Sequence, residues 1–86
     1  MPTKNIADQI ISEIRAEMAR QKKSGTELGQ VLGMSQRAAS YRLNGQRAMG
    51  WDETFTTANW LGLTLAELVK RAEIALELPD RTELAA

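Results

Sequence analysis

Cysteine and histidine are both absent from this 86-residue chain. Without cysteine there is no disulfide framework and no thiolate metal site. Without histidine a zinc finger and the commonest acid–base catalyst are missing too. No apolar stretch approaches the roughly 20 residues of a membrane span, and the opening MPTKNIADQ carries no apolar signal region. There is no glycine-rich phosphate loop and no nucleophile with a base beside it. The carboxylates are scattered, with no spacing that singles out a metal-holding pair. Repeats, low-complexity segments and linkers are also missing. These absences argue against an enzyme, a cofactor, a metal and a small-molecule ligand. They leave one domain over residues 1–86, expected to be cytoplasmic and soluble, just above the size at which a core alone suffices.

What is present is charge, unevenly placed. The formal net charge is zero. Residues 1–47 nevertheless hold eight cations against four carboxylates, a net +4, and residues 48–86 hold three against seven, a net −4. A chain polarised in this way can offer a basic face to nucleic acid and an acidic one to solvent or a partner.

The apolar residues repeat at helical spacing throughout. Residues 1–5 read as a short frayed arm. A first helix runs from about Ile6 to Gln21, with Ile10, Ile11, Ile14 and Met18 as its stripe. Arg20, Lys22 and Lys23 gather at its end, either to suit the helix dipole or to meet phosphate. Gly25 or Thr26 caps a second helix, and Leu28, Val31 and Leu32 form its apolar face. Gly33 is free to take positive φ, and Ser35 is a good N-cap for a third helix. That helix reads QRAASYRL and stops at Asn44-Gly45. Its polar residues are long, hydrogen-bonding or cationic, with no carboxylate among them.

A fourth helix spans about Trp51 to Leu61, with Asp52 and Glu53 in the first turn and Trp51, Phe55, Ala58 and Leu61 as the expected buried face. Gly62 ends it. Thr64 caps a fifth helix, Glu67 completes a capping box, and the helix runs to about Leu78, ahead of Pro79 and a loose tail over 79–86. The expected core is Ile10, Ile14, Met18, Leu28, Leu32, Ala39, Leu43, Phe55, Leu61, Leu65 and Val69. The fold class is all-α.

The stretch TELGQVLGMSQRAASYRLNG, residues 26–45, resembles the helix-turn-helix of the Cro, phage-repressor and Xre family. The resemblance rests on a small residue four before a turn glycine, here Gly29 and Gly33, with Leu32 and Met34 flanking the turn. A buried residue follows six after the glycine, here Ala39, and the close is RLNG at Arg42 to Gly45. It covers about residues 7–72. Gly29 departs from the usual alanine and is expected to loosen its helix by about 1 kcal/mol. Arg42 stands where an aliphatic is common, with Leu43 as the substitute core contact.

The resemblance implies a five-helix, lambda-repressor-like domain that binds double-stranded DNA with its third helix in the major groove. The expected base-contacting residues are Ser35, Gln36, Arg37, Ser40 and Tyr41. Gln can take adenine bidentately and Arg can take guanine at O6 and N7. The expected phosphate contacts are Lys22, Lys23, Thr26, Arg42, Asn44, Gln46 and Arg47, which orient but read no sequence. The resemblance further implies a regulator that occupies an operator and excludes polymerase or a competing repressor. One helix supplies few base contacts, so a homodimer on a palindrome is expected. Trp60, Ile74 and Leu78 lie off the core side of their helices and are the expected self-association surface. Three other readings share these features: an antitoxin of the same fold that also binds a toxin, a recombination directionality factor, and a protein-interaction module with a vestigial motif.

Overall fold

Five helices account for most of residues 5–77, the part of the chain that the computed structural model describes. They are α1 (Ile6–Arg20), α2 (Gly25–Leu32), α3 (Gln36–Leu43), α4 (Trp51–Trp60) and α5 (Leu65–Glu77). Among the described residues there is no strand, and no helix is long and apolar enough to cross a membrane. Lys4, Leu78 and the tail over 79–86 lie outside the described residues.

Every helix but α4, which follows Gly50, starts where a side chain satisfies an unpaired amide. Asn5 Oδ1 accepts from the Asp8 amide at 2.8 Å, and α1 begins. Ser24, rather than Gly25 or Thr26, caps α2: its hydroxyl accepts from the Glu27 amide at 3.2 Å while Glu27 accepts from the Ser24 amide at 3.0 Å. The reciprocal pair is a capping box. Its S-x-x-E spacing is plain in the sequence at Ser24-Gly25-Thr26-Glu27. The expected N-cap holds at Ser35, which accepts from Ala38 at 3.1 Å, and the expected box at Thr64 and Glu67, which exchange bonds of 3.0 and 3.2 Å.

α1 packs chiefly on α5, and α2 on α3, with α4 closing the space between α2 and α5. The core is Ile10, Ile14, Met18, Leu28, Ala39, Ala58, Leu61, Leu63, Leu68 and Ala72. Leu32, Leu43 and Val69 pack against its margin, half-buried.

α4 is rotated from the expected register. Trp51 and Phe55 are exposed, at 70% and 54%, and Thr54 and Thr57 are buried in their place. The threonines bury cheaply because their hydroxyls turn back to the helix: Thr54 Oγ1 donates to the Gly50 carbonyl at 2.9 Å and Thr57 Oγ1 to the Glu53 carbonyl at 2.7 Å. With the hydroxyl satisfied, Thr packs much as Val does. α5 differs by a smaller rotation: Leu68 and Ala72 are its buried centre, and the expected core residues Leu65 and Val69 are half-buried.

One carboxylate ties the two ends of the chain together. Glu17 on α1 accepts from Arg71 of α5 at 2.8 Å, from Arg20 at 2.8 Å and from Gln21 at 2.9 Å. The Gln21 bond first, then those of Arg71 and Arg20, lower its pKa from 4.5 to about 2. A depressed carboxylate contributes stability above its unfolded pKa and loses that contribution as pH falls toward the folded value. Arg20 and Arg71 are 57% and 39% exposed, so solvent screening limits the contribution to about 1–2 kcal/mol. Glu17→Gln is therefore expected to lower stability by that amount at pH 7, with the difference from wild type closing between about pH 4.5 and pH 2. Urea titrations across that window check it; a gap that stays constant with pH contradicts it.

Candidate functional site

The α2–α3 pair is held by a turn of three residues. Gly33 caps α2 in the left-handed region, φ 69°, where an L side chain is strained. The Met34 amide donates to the Gly29 carbonyl at 2.9 Å, which closes the end of α2. Ser35 then starts α3. The two helices approach so closely at Gly29 that a Cβ there would lie 2.9 Å from the Met34 carbonyl oxygen and 3.2 Å from the Ser35 carbonyl. Gly29 therefore does not loosen this pair; it permits the approach.

α3 buries Ala39 and turns Gln36, Arg37, Tyr41 and Asn44 outward. Arg37 and Tyr41 are four residues apart and share one face. Ser35 is exposed at the helix start, its hydroxyl engaged in the cap. Ser40 is half-buried at the α2 contact: its hydroxyl lies 3.9 Å from where a Cβ at Gly25 would stand. It is thus the least available of the five residues expected to meet bases.

The loop after α3 folds back on it. The Gln46 and Arg47 amides both donate to the Tyr41 carbonyl, at 2.9 and 3.1 Å, and Gly45 takes φ 77° to allow this. Those two amides are consumed, so Gln46 and Arg47 would meet a ligand through their side chains. Tyr41, Gln46 and Arg47 line one surface depression. A residue expected at bases thus lies beside two expected at phosphates.

The cations divide into two sets. Lys22, Arg37 and Arg47 are exposed, and among the described residues none of them makes an ion pair or a side-chain hydrogen bond. Lys23 and Arg42 are occupied inside the domain. Lys23 Nζ donates to the Trp60 carbonyl at 2.8 Å and lies 4.6 Å from the centre of its ring, a cation–π contact. Of the residues expected at a self-association surface, Trp60 is half-buried against the core and Ile74 is exposed. Thr26 is exposed in the first turn of α2.

Arg42 fastens α3 to α4. Its Nε donates to Glu53 Oε1 at 2.9 Å and its Nη1 to the Ala38 carbonyl at 2.9 Å. The same Glu53 oxygen accepts from the Gly50 amide at 3.0 Å. The Arg42 hydrogen bond holds the Glu53 pKa below the usual carboxylate value, with Gly50 and the nearby Arg47 charge adding to it. The partnership of Arg42 and Glu53 crosses eleven residues, and no local pattern announces it. Arg42→Ala is expected to cost about 1–3 kcal/mol, because it leaves the part-buried Glu53 without its cation. Thermal unfolding beside Arg47→Ala, which should stay within about 0.5 kcal/mol of wild type, separates the two arginines.

Among the described residues no group of three or more His, Cys, Asp or Glu could hold a metal ion. Comparison of the chain with protein-family models, with curated proteins and with solved structures finds no match.

Proposed function

We propose that this chain is a sequence-specific, double-stranded-DNA-binding regulator built on a lambda-repressor-like helix-turn-helix, with α2 and α3 as the two helices of the motif. A small repressor that occupies an operator is the form this takes. The observation that carries the reading is the outer face of α3. It projects Gln36, Arg37 and Tyr41 outward, with no carboxylate on α3 itself, from a helix fixed on both sides. Gly29 and the 33–35 turn fix it to α2, and Arg42 with Glu53 fixes it to α4. A rigid helix that presents bidentate donors is what base readout requires.

Arg37 and Gln36 read base edges, Tyr41 meets a phosphate or a thymine methyl, and Lys22, Thr26, Asn44, Gln46 and Arg47 hold the backbone. Lys23 and Arg42 act by positioning, since both are engaged within the fold. The net +4 of residues 1–47 supports the same face, because phosphate contacts supply most of the affinity.

Selection of binding sites from random duplex, followed by titration of variants, tests the reading. Arg47→Ala is expected to weaken every duplex alike and to reduce the salt slope by about 1. A change of base preference from Arg47→Ala, with none from Arg37→Ala, contradicts these roles.

A further inference from the structure

A groove of about 380 Å³ opens between the start of α1, the loop after α3, the first turn of α4 and the middle of α5. Ile6, Ile10, Ile11, Met49, Trp51 and Val69 are its apolar walls. No local sequence pattern announces it, because the walls meet only when the helices pack. The rotation of α4 contributes: Trp51, kept out of the core and 70% exposed, stands on this groove instead. Sites for one small organic molecule have this character, with mostly apolar walls, a few polar groups and volumes of about 300–1,000 Å³.

The charges around the groove select the kind of molecule. Asp8, Arg42 and Arg47 line it. Arg42 is spent on Glu53 and on the Ala38 carbonyl. Asp8 stands in the first turn of α1, where the helix dipole offsets a carboxylate. Arg47 is exposed and, among the described residues, makes neither an ion pair nor a side-chain hydrogen bond. The uncompensated charge beside the apolar walls is therefore positive. Arg47 also lines the depression that it shares with Tyr41 and Gln46 at the end of α3. It thus stands between the groove and the face assigned to DNA.

We infer that the groove binds a single-chain amphiphilic carboxylate, with its apolar body along the walls and its head on Arg47, and that this ligand competes with DNA for Arg47. The chain leaves water for apolar walls, and a carboxylate matches the guanidinium fork. A cationic amphiphile of the same length would set its head against Arg47. A DNA phosphate and a carboxylate cannot both occupy one guanidinium fork, so the ligand lowers affinity for duplex. This last step rests on the DNA reading above; binding of the carboxylate does not.

Calorimetric titration of the full chain with decanoate, octanoate and decyltrimethylammonium tests the site. One decanoate is expected to bind per chain. Octanoate should bind roughly 10-fold more weakly, since each methylene buried tightens binding about three- to fourfold, and the cation should bind more weakly than decanoate. Arg47→Ala should weaken decanoate by roughly 10-fold, the loss of a charge-assisted bond. Ala7 is exposed on α1 and lines the groove away from α3. Ala7→Phe should fill the groove and prevent decanoate binding, with thermal midpoint and duplex affinity as in wild type. Saturating decanoate should lower the duplex affinity of wild type to about that of Arg47→Ala and leave that of Ala7→Phe unchanged. No binding of decanoate, equal binding of the cation, several decanoates per chain, or undiminished binding to Ala7→Phe overturns the site. Sedimentation of wild type at twice 9.5 kDa with decanoate excluded overturns it too, because a second copy then fills the groove. Decanoate that binds without changing duplex affinity overturns the competition at Arg47. If no duplex binds at all, the DNA reading fails and calorimetry alone decides the site.

Discussion

Gln36→Ala and Arg37→Ala together are expected to abolish sequence preference while leaving the domain folded. Each side chain is exposed and, among the described residues, bonded to nothing else. Its removal therefore should change stability by no more than about 0.5 kcal/mol. Each bidentate contact to a base contributes about 1–3 kcal/mol of discrimination, so either single variant should lose 10-fold or so and relax preference at one base pair. The double variant should bind selected and random duplex alike, through Arg47, Lys22 and the other phosphate contacts that remain. A competition assay between the two duplexes, with circular dichroism on the same samples, checks both halves. A double variant that still discriminates moves base reading away from α3.

Gly29→Ala is the second large effect, and its sign opposes the helix-propensity argument. Propensity alone favours alanine by about 1 kcal/mol in a helix interior. The added Cβ, however, would stand 2.9 Å from the Met34 carbonyl oxygen and 3.2 Å from the Ser35 carbonyl. Those are backbone atoms of the turn itself, so relief requires α2 and α3 to part. Overpacking of this kind costs about 1–3 kcal/mol, and the clash outweighs the propensity gain. For a domain of this size, with total stability of about 4–13 kcal/mol, a loss near 1 kcal/mol shifts the thermal midpoint by roughly 4–8 °C. Because the turn also aims α3, affinity for DNA should fall with stability, unlike the effect of the surface substitutions. A rise in the midpoint with unchanged DNA binding contradicts the close approach.

The residues whose roles were legible in the sequence are those with local causes. Gly33 and Ser35 announced a turn and a cap, Thr64 and Glu67 a capping box, and Ile10, Ile14 and Met18 a buried stripe, each from a spacing of three or four residues. The rotation of α4 was not legible. Hydropathy ranks Trp51 and Phe55 above Thr54 and Thr57, and only the hydroxyl bonds to Gly50 and Glu53 show why the threonines go inside. The site divides in the same way. The exposed row on α3 follows from its helical period around Ala39. The engagement of Lys23 with Trp60 and of Arg42 with Glu53 depends on helices that meet in space, across 37 and 11 residues. A list of cations read from sequence mixes those that are free with those that are structural.

The most direct test of DNA reading by α3 is a titration of the wild-type chain with a selected duplex and a scrambled one at two salt concentrations. The predicted result is tighter binding to the selected duplex at both salts, with affinity for each falling steeply as salt rises. Equal affinity for the two duplexes, or binding indifferent to salt, would contradict the account.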